Sequence, residues 1–174
     1  MKKAVIFCAS SSKIDPKFAQ TAHDVVAAVC EKGYGIVSGG SYRGTMGEVA
    51  KTAEECGAPN IGVIPGFMKG WEYPHLTELV WTDTMADRKE KMREGTSLAV
   101  ALPGGIGTMD ELFETIVLKK LGRYDGIIVA YNLDGFYNPL KALLQHFVDT
   151  DMMTAEELQM VNFPENIDQF KALI

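Results

Sequence analysis

Short runs of uninterrupted apolar residues alternate along this chain with segments whose apolar residues recur at helical spacing. That alternation constrains the fold more than any other feature. Ala4–Ala9, Leu98–Leu102 and Gly126–Tyr131 are runs of this kind, and each reads as a strand buried on both faces. After the first run, Asp15 or Pro16 opens a helix to about Glu31, with Phe18, Ala22, Val25, Val26 and Val29 on one face and Gly33 as its stop. Further strands are expected at Tyr34–Val37, Asn60–Ile64 and Leu76–Trp81. Further helices are expected at Met46–Cys56, Thr84–Glu94, Thr108–Leu121 and about Pro139–Val148. Two short helices, opened by Thr154 and Pro164, close the chain. Strands alternating with helices in this way predict an α/β fold, a parallel sheet with helices on both faces. No linker-like stretch interrupts the pattern, so residues 1–174 read as one domain.

The charge balance narrows the function. Seventeen basic and 23 acidic side chains give a net charge of −6, which disfavours a nucleic-acid partner held through its phosphates. An anionic small molecule is still compatible if positive charge is focused locally. Cys8, Cys30 and Cys56 form no CxxC pair and are odd in number, as expected of reduced thiols in a cytoplasmic protein. No apolar run approaches the ~18 residues of a membrane span, and the spacing of His23, His75 and His146 suggests no metal.

Two glycine-rich turns carry the candidate chemistry. Ser38–Glu48 follows the second strand and Pro103–Glu111 the fifth. Each has a glycine pair and then Gly-Thr-Met-x-Glu entering a helix. Glycines let backbone N–H groups approach a ligand, and a following helix start favours a phosphate. The carboxyl ends of strands are where open α/β sheets bind ligands. Thr108 and Glu111 also spell a capping box, as do Thr45 and Glu48, which gives each glutamate a purely structural alternative. Neither turn is a Walker A loop or a GxGxxG fingerprint. In Thr84–Glu94, Met85, Arg88 and Met92 share one helical face. Arg88 there either snorkels at a rim or turns inward to meet an anion. Glu90, Lys91, Arg93 and Glu94 read as a solvated charged face. Ser10–Ser12 and Arg43 are weaker candidates for ligand contact. The methionines and aromatics read as core, and the cysteines show no partner that would make a nucleophile.

These segments resemble the LOG-type cytokinin riboside 5′-monophosphate phosphoribohydrolases, a family once mislabelled as lysine decarboxylases. Residues 103–111 match its PGGxGTxxE motif. Phe7–Ser11 is similar to its FCGSS, Gly39–Gly47 to its GGGxxGLMG, and Met85–Lys89 to its MxxRK. The resemblance implies a modified Rossmann fold, typically a homodimer. It implies hydrolysis of the N-glycosidic bond of adenosine 5′-monophosphates, often N6-substituted, to free base and ribose 5-phosphate without a cofactor. It places Arg88 and Glu111 at the catalytic positions and Gly104, Gly105, Gly107 and Thr108 in the phosphate loop. Ser10, Gly40, Glu72, Met85 and Lys89 fall at further substrate-binding positions. Ser41 and Ala9 replace family glycines, Asp110 a glutamate, and Val117–Gly122 diverges. Those departures leave AMP and N6-substituted AMP as alternative substrates. The same residues admit a second reading, a non-catalytic nucleotide or molybdenum-cofactor carrier. An NAD(P)-dependent oxidoreductase would need the absent fingerprint.

Overall fold

The computed structural model describes residues 1–174. Seven strands form one wholly parallel sheet: β1 (Lys3–Phe7), β2 (Gly35–Ser38), β3 (Asn60–Pro65), β4 (Glu78–Thr82), β5 (Leu98–Ala101), β6 (Ile127–Ala130) and β7 (Val161–Asn162). Their spatial order is β4-β3-β2-β1-β5-β6-β7. The helices are α1 (Lys17–Glu31), α2 (Gly44–Glu55), α3 (Met85–Arg93), α4 (Ile106–Lys120), α5 (Asn138–Asp149), α6 (Ala155–Leu158) and α7 (Ile167–Lys171). The expected Rossmann-like α/β architecture is therefore present. The six expected strands and seven helices all form, with boundaries shifted by a few residues. The two-residue β7 was not anticipated, because a pair of residues carries no periodicity.

The first strand shows why continuous apolar runs are needed. Successive side chains point to opposite faces. Ala4, Ile6 and Cys8 join a core with Val25, Val26 and Val29 of α1, Val49 of α2 and Phe170 of α7. Val5 and Phe7 join a second core with Met92 of α3, Leu112 and Ile116 of α4 and Leu144 of α5. Burial of each such side chain contributes about 1.5–3 kcal/mol. A polar residue at any position of the run would face one core or the other.

The strand order reverses direction at β1. The chain winds outward through β2, β3 and β4 on one side and through β5, β6 and β7 on the other. Connections leaving β1 and β5 therefore diverge, and a crevice opens at their carboxyl ends.

Two expected capping boxes do not form. Helix α4 starts at Ile106 with Gly105 as its N-cap, so Thr108 lies in the first turn and caps nothing. Helix α2 starts at Gly44 after Arg43, and the Thr45 hydroxyl donates instead to the Ala9 carbonyl at 3.0 Å. The same Thr-x-x-Glu spelling at Thr154–Glu157 does form a capping box at α6. The difference lies in the residues before the threonine: glycine loops let helices α2 and α4 start with their N-caps two and three residues before it.

Candidate functional site

A cavity of about 290 Å³ occupies the crevice at the carboxyl ends of β1, β2, β3 and β5. Ser10 follows β1, Gly39 and Ser41 follow β2, Ile64 and Met68 come from the end of β3 and the turn after it, and Gly105, Gly107, Thr108 and Glu111 come from the start of α4. Met85 and Arg88 enter from α3. Seven of the eleven expected site residues thus line one cavity.

Arg88 and Glu111 meet inside it. The Arg88 Nη1 donates to Glu111 Oε1 at 2.8 Å, and Nε donates to the Val63 carbonyl at 3.0 Å. Arg88 is 8% exposed and Glu111 7%. Gly39 makes this placement possible, since a Cβ there would collide with the Arg88 guanidinium and the Met46 sulfur. Burial pushes the Glu111 carboxyl up, and the Arg88 charge and hydrogen bond pull it back. The balance stays above the usual carboxylate range.

The start of α4, the helix that also carries Glu111, lines the same cavity. Its N-cap is glycine, no side chain caps it, and its first turn carries no acid. The first backbone N–H groups of a helix have no intrahelical partner. Here they sit with the positive end of the helix dipole at the cavity. Ile106 in that turn is 91% exposed, while Thr108 is buried beneath it.

The other four expected residues stand outside the cavity wall. Gly104 packs under the Thr108 side chain. Gly40 adopts φ +68° against the Gly62 backbone, and its carbonyl accepts from the Tyr73 N–H at 2.7 Å. The Glu72 carboxylate accepts from the Gly70 N–H at 2.6 Å, and its backbone bridges to Ser41. Lys89 points along the outer side of α3 and pairs with Asp110 at 2.8 Å and Glu114 at 2.7 Å.

Lys89 belongs to an ionic ladder between α3 and α4. Arg93, expected on a solvated face, is 8% exposed and donates to Glu114 at 2.7 Å. Burial would raise the Glu114 carboxyl, but Lys89 and Arg93 outweigh it and hold it below the usual range. Glu111 has one arginine and deep burial, Glu114 has two cations and more water, and their shifts are opposite in sign.

Several lining residues escaped the sequence reading. Met46 read as core, yet it lines the cavity, and Trp71 lines it from the irregular stretch after β3. The available signal was a large aromatic in a segment with no strand or helix pattern. Cys8 also lines the cavity, but burial pushes its thiol up to about 12. Cys8 is therefore expected to resist iodoacetamide at neutral pH in the native protein, while the exposed Cys56 reacts. Intact-mass spectrometry checks this, and rapid alkylation at Cys8 would contradict it.

The fold and the glycine-loop crevice define a Rossmann-like protein with a cavity at the topological switch point, where open α/β sheets bind ligands. Residues 46–173 match the family described as "Possible lysine decarboxylase". The cytokinin riboside 5′-monophosphate phosphoribohydrolase of Mycobacterium tuberculosis is 33% identical over 93% of this chain and 87% of its own length. Arabidopsis thaliana LOG5, of the same description, is 33% identical over 85% of this chain and 66% of its own. The chain belongs to this LOG family. Among solved structures, the molybdenum cofactor carrier protein of Chlamydomonas reinhardtii superposes with a TM-score of 0.76 at 18% identity, covering 99% of this chain and 95% of that one. The molybdenum cofactor binding protein of Rippkaea orientalis gives 0.74 at 16% identity, covering 99% of this chain and 95% of that one. At such identities these two likenesses establish the fold alone.

Proposed function

We propose that this chain is a nucleoside 5′-monophosphate N-glycosidase that hydrolyses AMP or N6-substituted AMP to free base and ribose 5-phosphate. The observation that carries this reading is the buried Arg88–Glu111 pair lining one cavity together with the uncapped start of the helix that carries Glu111. The relatives described as phosphoribohydrolases support it.

The chemistry follows from the parts. The helix start and Thr108 receive the 5′-phosphate. Breaking the C1′–N9 bond sends its electron pair to the purine and leaves oxocarbenium character on the ribose. The Glu111 carboxylate stabilises that charge, or takes a proton from the water that adds to C1′, and that proton passes to the departing purine to give the neutral base. Arg88 uses Nη1 and Nε on Glu111 and Val63, which holds the guanidinium rigid. Its remaining N–H groups serve the substrate and the departing base as a fixed positive charge. Lys89 and Glu72 act in this reading through the walls they brace.

The net charge of −6 repels an anionic substrate at long range. Arg88 and the helix start oppose that field only at short range, so added salt is expected to lower KM modestly by screening it.

Incubation with AMP and N6-isopentenyl-AMP, followed by chromatography for free base, tests the reading. Absence of base from both at high enzyme concentration overturns it. The pH profile adds a check. Glu111 acts ionised and its carboxyl is raised, so kcat/KM should fall with acid at a pKa above the usual carboxylate range. A flat profile down to about pH 4 would contradict that role. A cytoplasmic homodimer completes the proposal. Light scattering that returns the 19.1 kDa of one chain would overturn the dimer.

A further inference from the structure

We propose that Trp71 is the platform on which the substrate's base stacks, and that Arg43 fixes its ring from behind. This rests on the nucleotide reading of the same site. Trp71 lines the cavity yet remains 40% exposed, a large apolar ring left facing open space. The Arg43 guanidinium carbon sits 4.5 Å from the centroid of its ring. A cation over one face leaves the other face for a flat partner.

The backbone that carries the ring is clamped. The Trp71 carbonyl accepts from the Tyr42 N–H at 3.0 Å, and the Trp71 N–H donates to the Met68 carbonyl at 3.2 Å. Residues 41 and 72 form an antiparallel bridge, and the Tyr73 N–H reaches the Gly40 carbonyl. The loop after β3 is thereby laid along the glycine loop after β2, with Trp71 on its inner turn. Arg43, the N-cap of α2, belongs to that same glycine loop. Ring and guanidinium therefore come from two segments pinned to each other, and the platform exists before ligand binds.

The lining combines polar groups with a larger apolar surface. Arg88, Glu111 and Thr108 are polar, whereas Trp71, Met68, Met85 and Met46 are among its ten hydrophobic residues. A nucleotide matches this combination, with its phosphate at the α4 start, its ribose at Arg88 and Glu111, and its base among the methionines on Trp71. Base–aromatic stacking depends on π surface rather than on hydrogen-bond pattern. Trp71 therefore favours purines over the smaller pyrimidines and tolerates substituents on the purine edge. Arg43 is a positioning residue, because it acts on the ring and not on the substrate.

Steady-state kinetics and fluorescence test this together. In a Trp81→Phe background Trp71 is the only tryptophan. With Glu111→Gln added to spare the substrate, AMP should quench its emission, while ribose 5-phosphate should bind without quenching. Trp71→Ala should raise Kd for AMP about tenfold, the loss expected of one stacked base, and leave inhibition by ribose 5-phosphate unchanged. Trp71→Phe should recover most of that loss. Arg43→Gln should weaken AMP binding and Arg43→Lys should restore it. AMP hydrolysis by the wild-type chain with unquenched Trp71, or with unchanged Kd in Trp71→Ala, overturns this proposal alone. Failure of the wild-type chain to bind AMP at all overturns both this proposal and the nucleotide reading.

Discussion

Glu111→Gln is expected to lower kcat on AMP by about 10³-fold, the usual contribution of a positioned acid or base. The fold should survive intact. Glutamine keeps the shape of the side chain and an oxygen to accept from Arg88 Nη1, now bonded at 2.8 Å. It loses only the charge, and that charge is what burial penalises. The folded-state carboxyl lies above its ordinary range, so the native state binds more protons than the unfolded state between the two pKa values. Stability linked to Glu111 is therefore full in acid and is lost as pH rises through the raised pKa. At neutral pH the wild-type chain carries that cost; the glutamine variant is free of it but leaves the buried Arg88 without its counter-charge. The two effects oppose each other at pH 7, and the wild type should gain stability relative to the variant as pH falls toward about 4. Thermal melts across pH check the stability arm and base release checks the activity arm. Full turnover by the variant would remove Glu111 from the chemistry.

Arg88→Ala should be damaging in both respects. It removes the main charge that offsets the burial of Glu111 and takes the side-chain donor from the Val63 carbonyl. Breaking a buried ion pair from one side costs about 3–5 kcal/mol, because the remaining charge stays buried and unpaired. Turnover should drop by about 10²–10³-fold as the fixed positive charge is lost. Arg88→Lys should restore little, since an ammonium cannot reproduce the planar fork that spans a carboxylate and a backbone carbonyl. The double variant Arg88→Ala, Glu111→Gln gives the sharper check. It should be more stable than Arg88→Ala alone, because neutralising Glu111 removes the orphaned charge. Denaturant melts of the four proteins measure the coupling, and strictly additive losses would contradict a paired origin.

Much of this architecture was legible in the residues. The double-sided burial of β1 is written in Ala4–Ala9, where both parities are apolar. The site edge was legible because glycine-rich turns follow strands at Ser38 and Pro103. The Arg88 face was legible as well, since Met85 and Met92 flank it at helical spacing. What was not legible depended on tertiary placement. Thr108 spells an N-cap, but Gly105 starts the helix earlier, and only the path of the loop decides between them. Lys89 and Arg88 are neighbours in sequence, yet the helix sends one into the cavity and the other to Asp110 and Glu114. Arg93 is buried because Glu114 meets it from another helix 21 positions away. Trp71 gained its place from a bridge between two loops, a contact with no local signature.

The central claim is that the cavity hydrolyses a glycosidic bond rather than merely holding a nucleotide. The most direct test is AMP incubated with the protein in oxygen-18 water, with the sugar phosphate read by mass spectrometry. The account predicts free adenine in equal amount to ribose 5-phosphate, with the heavy oxygen at C1 of the sugar. Recovery of intact AMP, bound but unchanged after prolonged incubation at high enzyme concentration, would contradict it and leave a carrier.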